Sequence, residues 1–243
     1  MIAFPPGMER KEAIELLEDM VGFKNTDGCG YAFVNNEGQF SMRKWTQELK
    51  VVLKKHRNNF LGHLPHTCWT IAHLRAASSG AVRWENSHPF IAGDYCIAHN
   101  GSFYESNIVR LALSKIINWQ GETDSETASQ LINIIGPKKF AEEITFGGVY
   151  LALQKDGTLW IVKTSGELSI AEWQKDKILI ASELPWKKFN KRIQALLGWY
   201  HFDKNGAFIN NKEVRRSFMP GFGGYQENFR GSRTVENIYC GVD

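Results

Sequence analysis

The stretch VYLALQKDGTLWIVK, from Val149 to Lys163, alternates apolar residues on both sides of a Lys155-Asp156-Gly157 turn and reads as a β-hairpin. GYAFVNNEGQF, from Gly30, does the same around Asn35 to Gly38, and WYHFDKNGAFIN, from Trp199, around an Asn-Gly turn. Single strands are expected at MIAF, stopped by Pro5, Pro6 and Gly7, at TIAHL, at DYCIAH and at KILIAS. Helical spacing joins Ala13, Ile14, Leu16, Leu17, Met20 and Val21 up to Gly22. It recurs at Ile108, Leu111, Ala112, Ile116 and Trp119, and again at Ala128, Leu131, Ile132 and Ile135 before Gly136 and Pro137. The segment WKKFNKRIQALLG, from Trp186, also reads as a helix. Strands in hairpin groups with helices in blocks favour an α+β fold with antiparallel sheets over a doubly wound parallel one.

Length sets the scale: 243 residues make one large domain or two small ones with a substantial core. A domain over residues 1–215 is expected, followed by an irregular tail over 216–243 that has glycines and polar residues without periodicity. The net charge of +3 gives no argument for a nucleic-acid or membrane partner. No stretch approaches the ~20 apolar residues of a membrane span, and the opening turns polar too soon for a secretory signal. These features point to a cytoplasmic protein whose Cys29, Cys68, Cys96 and Cys240, irregularly spaced, are free thiols.

Three short stretches carry chemistry. HLRAASSG delivers Arg75 at the end of an apolar strand, beside Ser78 and Ser79. Such an arginine is either a core residue paired with an acid or a fork for a carboxylate. In HNGSF, Asn100 and Gly101 form either a turn or a pair of donors, one amide side chain and one unhindered N–H, that converge on a developing oxyanion. In GETDSETA, Thr123 and Glu126 make a capping box, so Asp124 is either a helix-start residue or a partner for an ammonium. Together the three describe a site for an α-amino acid whose carbonyl is attacked. His63, His66, Cys68 and His73 crowd within eleven residues, but the spacing is not that of metal ligands, and structural histidines with a buried thiol are expected.

HLRAASSG, NSHPF, HNGSF and TDSET, in this order, resemble the class II glutamine amidotransferase domain, an N-terminal-nucleophile (Ntn) hydrolase. NTDGCGYAF, GGVYLAL and LIASE add to the likeness, which covers roughly residues 1 to 185. The resemblance implies a four-layer αββα sandwich, two antiparallel sheets between helices. It implies that Arg75 and Ser78 hold the α-carboxylate of glutamine, that Asp124 holds its α-ammonium, and that Asn100 and Gly101 form the oxyanion hole. His73 and His88 are implied to be supporting residues rather than catalytic ones.

The family's reaction uses an N-terminal cysteine, whose thiolate attacks the amide carbonyl while its own α-amino group serves as base. This sequence opens Met1, Ile2, Ala3, Phe4, which resembles the family's first strand just after that cysteine, and its first cysteine is Cys29. Either the chain has been started late or the nucleophile has been lost; the retained Arg, Asn-Gly and Asp set favours the first. The expected function is hydrolysis of L-glutamine to glutamate and ammonia for a separate ammonia-accepting synthase, with no metal or other cofactor in this domain. The alternatives are a glutamine- or amino-acid-binding module or scaffold without a nucleophile, and an amidohydrolase on another γ-glutamyl compound.

Overall fold

The computed structural model describes residues 1–21, 25–62, 68–174, 177–183, 189 and 191–214. The first strand, β1 (Ile2–Phe4), ends at the expected Pro5-Pro6-Gly7 stop and leads into α1 (Arg10–Asp19). A hairpin of β2 (Cys29–Val34) and β3 (Phe40–Trp45) follows, then α2 (Leu49–His56) and β4 (Thr70–Leu74). Next come β5 (Phe90–Ala92), β6 (Tyr95–Asn100), α3 (Ser106–Leu113), α4 (Asp124–Ile135) and α5 (Pro137–Glu143). The hairpin that opened the sequence analysis is β7 (Val149–Gln154) with β8 (Leu159–Lys163). Five strands close the described chain: β9 (Ser169–Gln174), β10 (Lys177–Ala181), β11 (Arg192–Gln194), β12 (Gly198–Phe202) and β13 (Phe208–Glu213).

These strands make a seven-stranded sheet, β11-β9-β10-β1-β4-β2-β3, and a six-stranded sheet, β13-β12-β8-β7-β6-β5. Every pairing is antiparallel. The period of two in each strand sorts its side chains between layers. In β7, Val149, Leu151 and Leu153 join Ala3, Ile71, Ile161 and Ile180 in a core between the sheets, while Tyr150 and Ala152 face the other way. Ile97, Tyr150 and Val162 pack under Ala128 and Ile132 of α4 and Phe140 of α5. On the outer face of the larger sheet, Ile2, Phe4 and Ala72 meet Ile14 and Leu17 of α1 and Val52 and Leu53 of α2. The order is therefore helix, sheet, sheet, helix, the four layers expected. No helix among the described residues is long and apolar enough to cross a membrane.

Two local expectations are corrected. Within the helix expected from Trp186, Arg192–Gln194 is the edge strand β11, with Ile193 opposite Ile170 of β9. Isolated helix spacing over so short a run is outweighed by the free edge of β9, whose backbone groups need partners. Residues 186–188 and 190 of that segment lie outside the described residues, as does the expected tail over 216–243. The helix expected over Ile108 to Trp119 forms as α3 with one more turn, closed by the N–H groups of Ile116 and Ile117 on the Leu113 carbonyl. Its apolar stripe, however, is turned to solvent: Ile108 is 75% and Leu111 77% exposed.

Because Leu151 is fully buried among apolar side chains of the inter-sheet core, Leu151→Ala is expected to cost about 3 kcal/mol. Urea unfolding followed by circular dichroism measures this through the midpoint, with the slope unchanged.

Candidate active site

The larger sheet's register decides what meets at its end. β1 lies between β4 and β10, with Ile2 opposite both Ala72 and Ala181. One step further along each strand, Met1, His73 and Ser182 therefore converge. The α-amino group of Met1 donates to Ser182 Oγ at 3.2 Å. Its nitrogen is buried, and burial pulls its pKa down to about 5 against the opposing charge of Glu183. A cavity of about 230 Å³ opens here, bordered by Met1, Arg75, Asn100, Gly101, Asp124 and Ser182.

Arg75 stands one residue past β4, anchored by its N–H on the Gly28 carbonyl at 2.8 Å and by its own carbonyl, which accepts from the Asp27 N–H at 3.1 Å. The guanidinium is buried and holds the following loop from inside: Nη1 donates to Ala81 O, and Nη2 to Ser79 O and Gly80 O, at 3.1–3.4 Å. Burial works against its charge, and nearby Asp27 works for it. The loop it organises carries Ser78 and Ser79 along the cavity.

Asp124 opens α4, but Thr123 supplies the cap, its Oγ1 accepting from the Glu126 N–H at 3.2 Å. The Asp124 carboxylate is thereby left for the cavity wall. Its Oδ2 accepts from the Phe103 N–H at 2.7 Å and its Oδ1 from Ser79 Oγ at 3.3 Å.

Asn100 ends β6. Its Oδ1 accepts from His73 Nε2 at 2.8 Å, and its Nδ2 donates to Ser182 Oγ at 3.0 Å. The adjoining Gly101 has φ +142°, and a Cβ there would lie 2.5 Å from the Gly147 carbonyl oxygen, so no other residue fits without displacing backbone.

Behind Asn100 lie three histidines. The rings of His73 and His88 stack with centroids 4.0 Å apart, and His88 Nδ1 accepts from the His99 backbone N–H at 3.1 Å. His99 stacks on Tyr150 at 4.3 Å, donates Nε2–H to the Gly147 carbonyl and accepts at Nδ1 from Ser125 Oγ. Each neighbour dictates a tautomer: a carbonyl oxygen only accepts, and a backbone N–H only donates. His88 and His99 are thus Nε2–H tautomers, and His73 turns its Nε2 to the Asn100 amide. Burial takes His73 down to about 3, helped by the Met1 amine, and holds His88 well below its ordinary value.

Of the residues singled out from sequence, Arg75, Ser78, Asp124, Asn100, Gly101, His73 and His88 all border this one cavity. Sequence reasoning missed His99, Ser125, Ser182 and the Met1 nitrogen. His99 sat inside the quoted HNGSF without a role, and no local signal marks Ser182, which is 181 positions from Met1. In the crowded His/Cys stretch, Cys68 turns into the inter-sheet core and donates to the Val34 carbonyl, while His73 borders the cavity. His63 and His66 lie outside the described residues.

The sign of the histidine shifts gives a pH dependence. Folded His73 and His88 bind protons only well below pH 6.5, whereas the unfolded chain binds them near 6.5, so unfolding takes up protons in that window. The histidine contribution to stability is expected to be fully present above about pH 7 and to be lost as pH drops from 6.5 toward 4, below the window from about pH 8 to 5 in which the buried Met1 amine acts in the same direction. Thermal melts across that range check this, and His88→Phe should flatten the slope.

The family model described as "Glutamine amidotransferases class-II" matches residues 19–189. The glutamine–fructose-6-phosphate aminotransferase (isomerizing) of Staphylococcus epidermidis is 26% identical over 164 residues, covering 61% of this chain and 26% of that protein. That of Gluconobacter oxydans is 33% identical over 128 residues, covering 50% and 19%. The chain thus spans about a quarter or less of the length of these curated relatives. Among solved structures, the glutamine phosphoribosylpyrophosphate amidotransferase of B. subtilis superposes with a TM-score of 0.66 at 16% identity, over 89% of this chain and 49% of that one. A glutamine aminotransferase class-II domain protein from Silicibacter pomeroyi gives 0.54 at 15% identity, over 78% and 92%. These likenesses show a shared fold, two antiparallel sheets with helices.

Proposed function

The chain belongs to the class II glutamine amidotransferase family, and on that premise we propose that its cavity binds L-glutamine and serves hydrolysis of the side-chain amide to glutamate and ammonia, for use by a separate acceptor enzyme. The observation that carries this reading is the meeting of Arg75, Asp124 and the Asn100-Gly101 pair around one small cavity. Arg75 spends three of its five N–H donors on the loop, and a substrate carboxylate would take from the rest, with Ser78 beside it. Asp124, braced by the Phe103 N–H, would receive the α-ammonium. The remaining Nδ2 hydrogen of Asn100 and the Gly101 N–H would hold the oxygen of the tetrahedral intermediate. His73 would keep the Asn100 amide turned the right way, with His88 stacked behind it.

The nucleophile would be a cysteine joined to the Met1 nitrogen. That nitrogen lies at the cavity beside Ser182 and Asn100, so a residue attached there would stand within the site. Its thiolate would attack the amide carbon, and its own amine would pass the thiol proton to the departing nitrogen. Ammonia leaves, and water then cleaves the thioester to glutamate.

A second reading, a glutamine-binding module without turnover, is favoured by one observation. None of the described cysteines borders the cavity: Cys29, Cys68 and Cys96 are buried, with the Cys29 thiol pushed up to about 12 by burial.

Mass spectrometry of the N-terminal peptide of the natively produced protein separates the two. A peptide beginning with cysteine and running into MIAF supports the enzyme; one beginning at Met1 or Ile2 supports the binder. Calorimetry tests what both share. L-glutamine should bind, and Asp124→Asn should weaken it on the order of 100-fold, because the substrate cation loses its counter-charge. In the active form, Asn100→Ala should lower kcat on the order of 100-fold with affinity little changed. No glutamine binding by the unmutated chain would overturn both readings.

A further inference from the structure

Ser182 stands one residue past β10 and has no part in the substrate contacts named above, yet its hydroxyl meets three groups of the site at once. Its Oγ accepts from the Met1 nitrogen at 3.2 Å and from Asn100 Nδ2 at 3.0 Å, and its own hydrogen goes to the Met1 carbonyl at 3.3 Å. A hydroxyl has one hydrogen and two lone pairs, so this set uses it completely. With the hydrogen committed to a carbonyl, which only accepts, Oγ meets Asn100 as an acceptor. The nitrogen of the Asn100 amide, and not its oxygen, then faces Ser182.

The two bonds to Met1 are backed by the backbone. The Ser182 N–H donates to the same Met1 carbonyl at 3.0 Å, continuing the pairing of Ile2 with Ala181. Register between β1 and β10 therefore survives loss of the hydroxyl. The bond to Asn100 has no such backing, because β6 belongs to the other sheet. His73 Nε2 holds Asn100 Oδ1 at 2.8 Å, which fixes one end of the amide and leaves the other free to swing about it.

We propose that Ser182 is a positioning residue: its hydroxyl takes one Nδ2 hydrogen of Asn100 and thereby aims the second into the cavity, where the carbonyl oxygen of the substrate would lie. This rests on the oxyanion role proposed for Asn100 above. The resonance that flattens a peptide bond also holds both hydrogens of a side-chain amide in one plane, so holding one sets the direction of the other. A donor aimed before the reaction needs no reorganisation when charge develops on the oxygen.

Ser182 borders open space on two sides, the cavity and a second opening lined by Val149 and Gly166, so there is room for the methyl group of a threonine. Ser182→Ala and Ser182→Thr are compared with the unmutated full chain, with circular dichroism to confirm folding. Nitrogen-15 relaxation of the Asn100 side-chain amide, its signals identified by their loss in Asn100→Ala, needs no turnover. The order parameter is expected near about 0.85 in the unmutated chain and in Ser182→Thr, and near or below about 0.6 in Ser182→Ala. An order parameter unchanged in Ser182→Ala overturns the proposal. In the glutamine-hydrolysing form, Ser182→Ala should lower kcat on the order of 10-fold with KM little changed, while Ser182→Thr keeps most of the rate. Adding Ser182→Ala to Asn100→Ala should cost nothing further, as expected of a residue that acts through Asn100. Losses that multiply in the double variant, or equal losses in Ser182→Ala and Ser182→Thr, overturn the proposal as well. A chain that binds glutamine with its Asn100 amide held by Ser182 but shows no turnover supports the clamp and overturns the hydrolysis reading.

Discussion

The central position of β1 is the constraint on which the site depends. All three of its residues pair on one side with β4, and Ile2 and Ala3 pair on the other with β10, so Met1, the end of β4 and the end of β10 stop at one level. That level is where the Met1 nitrogen, His73 and Ser182 meet. β6 of the other sheet adds Asn100, which bonds to both His73 and Ser182 and so links the two sheets. A slip of one residue in either pairing of β1 would turn Ala3 from the inter-sheet core to the outer face and take the amine away from Ser182.

A polar site at the end of an apolar double-sheet core has to be kept from dissolving that core. The means here is neutrality. Burial disfavours the charged form of all three imidazoles, backbone groups hold one nitrogen each of His88 and His99, and the rings stack on one another and on Tyr150. Their order braces the Asn100 side chain without placing an ion behind it. The same burial that makes them good scaffolding makes them costly to protonate, so acid sensitivity is built into the wall of the site.

The two helical faces of the sandwich are used differently. α1 and α2 bury their apolar sides on the larger sheet. On the smaller sheet α4 and α5 do so, but α3 is placed outside α4 and meets it through Arg110 and Val109, leaving its apolar stripe free. Helix spacing in that stretch predicts a stripe, and it is the packing of the opposite face that decides where the stripe points.

Much of this was legible in the residues. Alternation around Asn-Gly and Asp-Gly turns marks the hairpins, glycine and proline stops mark the first strand and two helices, and Arg75, Asn100, Gly101 and Asp124 stand in motifs that resemble one family. These are local signals, carried by spacings of a few residues. The edge strand β11 was not legible, because its formation answers the exposed backbone of β9 rather than any preference of its own three residues. Nor was the pairing of Asn100 with Ser182, or the burial of the Met1 nitrogen, since contacts across 82 and 181 positions exist only once strand register sets them. Sequence by itself determined which chemical groups the chain brings. Tertiary structure alone decided which of them share a cavity, which are held neutral and which apolar face stays in water, because burial and register are properties of the packed sheets and of no single segment.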